Sequence, residues 1–302
     1  MKERKRILIA CDGSVGASLA LGDLKRAGLP DEADALALSV AEMWLAPLSA
    51  LEVAAGAEPM ALSERIAHKQ TLALRAADQL RVDFPGWEVS AEACCGSPAS
   101  QIIKRAAEWG ANLVVAGASG LSVVERLLLG SVSQKLLHDA HCSVRIGRGE
   151  YGRRQQPPER ILIGFDGSVD SWTALREAAA RRWPQGIQLR LLTAIGLVYS
   201  VGGVVLEVER WRVREEQQRA EDELTAADFI VSSVIAERDP KQALLEEADA
   251  WKADAIFLGT SGMGLVGRLV LGSVSAAIAA RANCSVEVVR GAAPLPGTPP
   301  DS

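Results

Sequence analysis

The stretch Gly117-Ala118-Ser119-Gly120, nine further residues and then Gly130-Ser131-Val132-Ser133 form a pattern that occurs twice in this 302-residue chain. The second copy is Gly259-Thr260-Ser261-Gly262, again nine residues, and Gly272-Ser273-Val274-Ser275. Each copy follows a short apolar run, which is typical of a buried parallel strand, and leads into a serine-rich helix start. The pattern therefore predicts a strand, a glycine loop and a helix, twice over.

A glycine loop before a helix suits a negatively charged ligand. Glycine lets backbone N–H groups approach an anion without a Cβ in the way, and the positive end of the helix favours phosphate. Ser131 and Ser273 stand where each could cap its helix. The spacing is neither that of the P-loop, which needs Gly-Lys-Ser/Thr, nor the dinucleotide pattern Gly-x-Gly-x-x-Gly. The loops are thus predicted to hold phosphate with a different spacing.

Strands and helices alternate in both halves of the chain. The first half is predicted to contain strand 7–11, helix 15–27, strand 34–40, helix 62–82, strand 87–94, helix 98–109, strand 112–116, helix 131–140 and strand 142–146. The second half is predicted to contain strand 161–165, helix 171–182, strand 188–195, helix 204–227, strand 229–236, helix 241–251, strand 255–258 and strand 285–289. This alternation predicts an α/β fold with parallel sheets and helices on both faces.

The two halves are copies of one unit. Positions late in the unit, such as Pro98 and Pro240, are 142 residues apart, whereas the opening pair Asp12 and Asp166 is 154 apart. The first copy therefore carries 12 additional residues between Val40 and Pro98, which we assign to the loop after the second strand. We expect a first domain over residues 1–147, a linker over 148–160, a second domain over 161–290 and a mobile tail over 291–302, because linker and tail are rich in glycine and proline.

Composition limits the classes of function. Hydrophobic residues make 48% of the chain and the net charge is −5, so neither nucleic acid nor an anionic membrane is expected as the main partner. No apolar run reaches transmembrane length. Five cysteines without a disulfide or metal-ligand spacing indicate a reducing compartment, and we expect a cytoplasmic protein. The adjacent Cys94 and Cys95 are interpreted as core residues of a strand.

The pattern Gly-x2-Gly-x9-Gly-Ser resembles the ATP-binding signature of the universal stress protein family. Residues 7–14, which end in Asp-Gly-Ser, resemble that family's opening strand, and residues 161–168 repeat it. The resemblance covers roughly 5–147 and 159–290. It implies two tandem, doubly wound, five-stranded parallel-sheet domains with the layering of adenine nucleotide alpha hydrolase-like and flavodoxin-like folds. It also implies ATP as the ligand.

The resemblance points to one ATP site in each half. In the first half it designates Asp12, Val40, Gly117, Gly120, Arg126, Gly130, Ser131, Val132 and Ser133. In the second half it designates Asp166, Ala194, Gly259, Gly262, Arg268, Gly272, Ser273, Val274 and Ser275.

Each of these assignments has a simpler alternative. The aspartates would contact the nucleoside or merely form an Asx turn, the arginines would offset phosphate charge or face solvent, and the serines would bind phosphate or cap helices. The resemblance places Val40 and Ala194 against adenine. Val40 has a larger side chain than Ala194 and would make more contact with adenine. The Gly-x-Pro motif that starts at Gly96 has Arg238 in place of the glycine in the second copy. For both reasons the first site is expected to bind ATP more tightly.

The predicted function is binding of ATP as a regulatory ligand in a stress response. A slow ATPase or an autophosphorylating enzyme, with Ser131 or Ser133 as acceptor, is one alternative, and a scaffold with structural glycine loops is another. We predict no catalytic residue, because His68, His138 and His141 do not recur in the second half. No metal site of the protein's own is predicted, so any Mg²⁺ would arrive with the nucleotide.

The two halves are expected to form an intramolecular pseudo-dimer about a pseudo-two-fold axis, with further homodimerisation left open and the partner protein unknown. The resemblance makes strand five the shared edge, which would place Arg145 opposite its repeat equivalent Glu287. The alternative is that both side chains face solvent. The apolar segment 41–61, which contains Trp44, is expected to cover the first site or to pack on the partner domain.

Overall fold

The computed structural model of the protein describes residues 4–43, 61–118, 129–148, 156–195, 204–261 and 271–291, with the side chains of 204–210 left out. The first half contains β1 (Lys5–Ala10), α1 (Val15–Asp23), a 3₁₀ turn (Leu24–Arg26), β2 (Ala33–Ala41), α2 (Leu62–Asp83), β3 (Glu88–Cys95), α3 (Pro98–Trp109), β4 (Leu113–Gly117), α4 (Ser131–Asp139) and β5 (Ser143–Gly147).

The second half repeats this order. It contains β6 (Arg160–Gly164), α5 (Val169–Ala179), β7 (Gln188–Ala194), α6 (Val204–Thr225), β8 (Ile230–Ala236), α7 (Pro240–Ala250), β9 (Ala255–Gly259), α8 (Ser273–Arg281) and β10 (Ser285–Val289). The predicted elements are present, with ends shifted by a few residues. Both α2 and α6 span 22 residues at a separation of 142, so the 12 additional residues fall between β2 and α2. Trp44 and residues 44–60 lie outside the described residues.

The ten strands of the described residues form one sheet, in the order β3-β2-β1-β4-β5-β10-β9-β6-β7-β8. Strands are parallel within each half, and the halves meet where β5 pairs with β10 in antiparallel orientation. The predicted α/β class with two doubly wound five-stranded domains is therefore confirmed. The two sheets are continuous, because β5 and β10 satisfy each other's edges.

The two faces of this sheet differ at the junction. On the face covered by α3, α4, α7 and α8, one apolar core continues across both halves. On the opposite face, α1 and α2 cover one core and α5 and α6 cover another. Buried charged side chains lie between these two cores.

Arg145 and Glu287 form the centre of this charged cluster. They are directly opposite each other in the β5–β10 pair, both are 0% exposed, and Arg145 Nη1 lies 3.2 Å from Glu287 Oε2. The predicted pairing is confirmed, and the alternative that both face solvent is wrong. Asp23, at the end of α1, accepts a hydrogen bond from Arg145 Nε at 2.8 Å, and Arg181, just after α5, donates to Glu287. Burial opposes the charge of Arg145, but Asp23 and Glu287 together raise the pKa of its guanidinium.

A second pair of arginines links the halves symmetrically. Arg148 Nη2 donates to the carbonyl oxygen of Ala279 at 2.7 Å, in the last turn of α8, and its repeat equivalent Arg290 donates to the carbonyl oxygen of Leu137 in the last turn of α4. The last carbonyl groups of a helix have no partner inside the helix. Each half therefore satisfies a helix end that belongs to the other.

Candidate functional site

A cavity of about 510 Å³ lies at the carboxyl ends of β1 and β4 in the first half. These neighbouring strands lead to α1 and α4 on opposite faces of the sheet, and ligands of doubly wound sheets bind at such points. Seven of the nine residues designated in the first half line it: Asp12, Val40, Gly117, Gly130, Ser131, Val132 and Ser133. Gly120 and Arg126 lie outside the described residues.

Part of the cavity wall is apolar. Val40, near the end of β2, is 6% exposed, and Leu38, Ala116 and Ile102 also contribute to this wall. Side chains at alternate positions of a strand share one face of the sheet, which brings Leu38 and Val40 to the same side. An apolar wall of this kind suits a flat ring such as a nucleobase.

The start of α4 also lines the cavity. The N-cap residue is Gly130, in an extended conformation, and no side chain among the described residues caps the helix. Ser131 is instead the first helical residue and is exposed, so the predicted capping by Ser131 is wrong; α8 begins in the same way after Gly272. Since the first N–H groups of a helix have no partner inside it, this end can receive an anion.

Ser133 has a structural hydrogen bond that the sequence did not indicate. Its hydroxyl donates to the carbonyl oxygen of Gly117 at 2.6 Å, and in the second half Ser275 donates to Gly259 at 2.7 Å. The hydroxyl proton that would serve a phosphate oxygen is therefore used to join the strand end to the helix start.

Gly117 and Gly259 are needed for packing. A Cβ built on Gly117 would lie 2.4 Å from the carbonyl carbon of Gly16, and one on Gly259 would lie 2.6 Å from that of Asp170. Both distances are far below van der Waals contact. The absence of a side chain at these two positions lets α1 and α5 pack against β4 and β9.

Asp12 forms the Asx turn that was the alternative to ligand contact, yet it also lines the cavity. Its Oδ1 accepts a hydrogen bond from the backbone N–H of Ser14 at 2.9 Å, and Asp166 accepts one from Ser168 at 3.0 Å. Ser14 in turn caps α1 by accepting from Ala17 at 3.1 Å. The two interpretations of Asp12 are therefore compatible.

The sequence reasoning missed a basic helix face on the cavity wall. Arg65, His68 and Lys69 of α2 line the cavity, and Lys69 Nζ donates to the backbone carbonyl of Asp12 at 3.2 Å. Their spacing of three and four residues places them on one side of the helix and was the available signal. The repeat equivalent of Lys69 is Trp211.

Cys11 also lines the cavity, but the surroundings of its thiol make it unreactive. Burial, helped by the Asp12 carboxylate, raises the pKa of its thiol to about 12. A thiol that stays protonated at neutral pH is a poor nucleophile. Among the described residues, no group of three or more His, Cys, Asp or Glu side chains is arranged to hold a metal ion. No helix in that part of the chain has the length and apolar character needed to cross a bilayer.

The second half has the same backbone arrangement, but there the side chain of Asp170 contacts the glycine loop. Asp166, Gly259, Gly272, Ser273, Val274 and Ser275 occupy the equivalent strand ends and helix start. Ala194 ends β7, and Gly262 and Arg268 lie outside the described residues. Here Asp170, in the first turn of α5, accepts hydrogen bonds from Thr260 and Ser261 of the glycine loop. Its equivalent in the first half is Gly16.

Comparison with known proteins gives a consistent result. The model of the universal stress protein family matches residues 3–147 and 158–290. A universal stress protein of Mycolicibacterium smegmatis is 32% identical over 187 residues, which are 60% of this chain and 62%, less than two thirds, of that relative. One from Thermus aquaticus is 34% identical over 133 residues, 43% of this chain and 97% of its own. The crystal structure of a universal stress protein from Archaeoglobus fulgidus is 25% identical, covers 94% of this chain and 98% of its own, and has a TM-score of 0.64.

Proposed function

Because this chain belongs to the universal stress protein family as a tandem two-domain member, we propose that its first half binds ATP in the cavity between β1, β2 and α4. The observation that carries the proposal is that an apolar wall at Val40 and the start of α4, which no described side chain caps, line one cavity of about 510 Å³. That volume lies within the range of roughly 300–1,000 Å³ that is usual for small-molecule sites. The nucleotide acts as a regulatory ligand in a stress response.

The residues present fit the parts of the nucleotide. Val40 and Leu38 offer the apolar contact for adenine, and Asp12 lies beside them for the nucleoside. The backbone N–H of Gly130 donates to the carbonyl oxygen of Ala118 at 2.8 Å, so the N–H groups offered to the phosphates are those of the first turn of α4, from Ser131 onward. Lys69 adds positive charge to the wall. Gly120 and Arg126 belong to the proposed site as well. Mg²⁺ would enter with ATP and screen its phosphate charge.

Calorimetric titration with ATP tests the proposal. Gly130→Val places a branched side chain where the phosphates would approach the helix start, so we expect the affinity of the first half to fall at least about tenfold. Gly291→Val is the matched control, because a Cβ there meets nothing within 4 Å. Unchanged ATP affinity in a folded Gly130→Val protein would rule out the phosphate site.

The second half is proposed as a weaker site of the same kind, formed by Asp166, Ala194, Gly259, Gly262, Arg268, Gly272, Ser273, Val274 and Ser275. Ala194 offers less apolar contact than Val40, and no lysine stands at the position of Lys69. Mass spectrometry under non-denaturing conditions gives the number of nucleotides per chain. A chain that copurifies with two nucleotides of equal affinity would contradict the ranking.

One observation favours slow phosphoryl transfer as a second candidate function. Ser131 lines the cavity, is exposed and begins α4, whereas the hydroxyl of Ser133 donates to Gly117. If the protein labels itself, Ser131 is therefore the expected acceptor. Incubation with γ-labelled ATP separates this candidate from regulatory binding, since label that persists in Ser131→Ala would exclude Ser131. A protein that binds no nucleotide at all would be a scaffold.

Location, domain boundaries and assembly complete the proposal. We place the protein in the cytoplasm and divide it at 1–147, 148–160, 161–290 and 291–302, with the halves acting as an intramolecular pseudo-dimer. The Arg145–Glu287 pair supports this arrangement, because two identical halves would bring like charges together. Cell fractionation, limited proteolysis and the mass in solution test the three points in turn.

A further inference from the structure

Among the described residues, Asp170 accepts three hydrogen bonds from Thr260 and Ser261 of the second glycine loop. Its Oδ2 accepts from Thr260 Oγ1 at 2.7 Å, from the backbone N–H of Ser261 at 3.0 Å and from Ser261 Oγ at 2.5 Å. Thr260 and Ser261 are the two residues between Gly259 and Gly262. The loop that was predicted to receive a phosphate therefore holds a carboxylate that the chain itself supplies.

We propose that Asp170 is the resident anion of the second glycine loop and competes there with nucleotide phosphate. This inference rests on the proposed function of ATP binding. A carboxylate and a phosphate accept hydrogen bonds from the same kinds of donor, and bonds to an ionised acceptor are stronger than neutral ones. A phosphate that entered the second loop would have to displace Asp170 and would meet its negative charge.

The first half lacks the carboxylate and one of the two donor residues of this arrangement, and keeps a serine, Ser119, at the position of Ser261. The equivalent of Asp170 is Gly16, which has no side chain, and the equivalent of Thr260 is Ala118, which has no hydroxyl. The helix backbone is nevertheless equally close to the strand end in both halves, as the short approaches of Gly117 to Gly16 and of Gly259 to Asp170 demonstrate. The difference between the two loops is therefore one of side chains, and the positions can be exchanged.

The residues around the two loops also favour phosphate binding in the first half over the second. In the first half Lys69 stands on the cavity wall and donates to the backbone of Asp12. Its equivalent Trp211 is 64% exposed and carries no charge. The first half therefore presents a cation to an incoming phosphate, whereas the second half presents the Asp170 carboxylate.

The test measures binding of ATP with Mg²⁺ by calorimetry and non-denaturing mass spectrometry. We expect one tightly bound nucleotide in the wild type, a second one in Asp170→Gly, and loss of the first in Gly16→Asp, each change being about tenfold or more in affinity. Asp170→Asn keeps the shape and removes the charge, so it should give part of the gain. Thermal melting of each variant checks that it folds.

Assignment to a half uses Gly130→Val as the background. Adding Asp170→Gly to this variant should strengthen the weak site of the second half by about tenfold or more relative to Gly130→Val alone. If neither Asp170→Gly nor Asp170→Asn gains affinity in that background, Asp170 does not compete with phosphate and the inference is overturned. If both variants weaken binding, Asp170 contacts the nucleotide or its metal ion and the inference is equally overturned.

The two proposals fail in different ways. A wild-type protein that binds one ATP, loses it in Gly130→Val and gains none in Asp170→Gly would leave the proposed function standing without this inference. A wild-type protein that binds no ATP while Asp170→Gly binds one would leave the inference standing without the proposed site in the first half. Should Asp170→Gly not fold, Asp170→Asn and Gly16→Asp decide the matter, since unchanged ATP affinity in both contradicts the competition.

Discussion

The glycine loops and the junction between the halves have diverged in different ways from the same repeat. At the loops, Ser133 and Ser275 make the same hydrogen bond to the strand end, but the neighbouring helix contributes nothing at Gly16 and a carboxylate at Asp170. At the junction, duplication allowed two copies of one position to become Arg145 and Glu287. The two copies therefore share one backbone arrangement and differ in which charged side chains they carry at the loops and at the junction.

The largest effect is expected at the junction. Arg145→Met removes the guanidinium that contacts both buried carboxylates, so Glu287 keeps only its ion pair with Arg181 among the described residues, and the change should cost about 3–5 kcal/mol of unfolding free energy. A double-mutant cycle with Glu287→Met, followed by denaturant unfolding, should give a smaller loss for the double variant than the sum of the single losses. The exposed pair Lys135 and Asp139 is the control and should show little or no coupling, because exposed ion pairs contribute little.

Exchanging the charges of Arg145 and Glu287 tests how much Asp23 and Arg181 contribute to the buried cluster. Arg145→Glu with Glu287→Arg restores attraction within the pair, but it places the new carboxylate beside Asp23 and the new guanidinium beside Arg181. We therefore expect the double reversal to recover only part of the stability lost in Arg145→Glu. Denaturant unfolding of the single and double variants measures the recovery. Full recovery would mean that Asp23 and Arg181 contribute little to the cluster.

The next largest loss of stability should be equal in the two halves. Gly117→Ala and Gly259→Ala each push a Cβ against the backbone of the adjacent helix, and overpacking of this kind costs about 1–3 kcal/mol. Denaturant unfolding measures both. Gly291→Ala should have no effect, because that position is open. Unequal losses at Gly117 and Gly259 would show that the two backbones are not equivalent.

A smaller effect, on ATP affinity, should distinguish the apolar wall at Val40 from the one at Ala194. Val40→Ala removes two methyl groups from the first cavity and should weaken ATP binding roughly fivefold to tenfold, which is about 1 kcal/mol. Ala194→Val is the reciprocal change and should strengthen binding only after Asp170 has been replaced. Calorimetry in the presence and absence of Asp170→Gly tests both statements.

The smallest effect concerns the basic wall. Lys69→Gln should weaken ATP binding a few-fold at low salt and less at high salt, because partly exposed charges are screened by ions. Measuring the affinity at two salt concentrations isolates this contribution. Lys104→Gln on α3 is the control, since Lys104 pairs with Glu108 and does not line the cavity. An effect of Lys69→Gln that does not depend on salt would point to packing.

Much of the fold could be predicted because its signals are local. Apolar runs such as Leu113 to Ala116 define the strands, and the exact repeat separates the copies. The pairing of Arg145 with Glu287 could also be predicted, because antiparallel edges related by a two-fold axis bring equivalent residues together. Asp23 and Arg181 could not, since charged residues at helix ends usually face water.

The site was harder to predict where contacts are distant in sequence. Asp170 meets Ser261 across 91 positions, and an acidic residue in the first turn of a helix is ordinarily explained by the helix dipole. Aligning Asp170 with Gly16 was the signal that could have revealed the difference. The hydrogen bond from Ser133 to Gly117 was not predicted, because a hydroxyl near a phosphate loop is as well placed to contact phosphate as to donate to a backbone carbonyl.

The strand order has a consequence for how the protein is made. Among the strands described, β10 is the last to leave the ribosome, yet it lies in the middle of the finished sheet, beside β5. Until Ser285–Val289 has been translated, β5 is an edge strand, and Arg145 lacks Glu287, which together with Asp23 neutralises it in the native state. The first half is thus synthesised early but completed late, and the nascent chain must keep this edge from pairing with a neighbour on the same polysome.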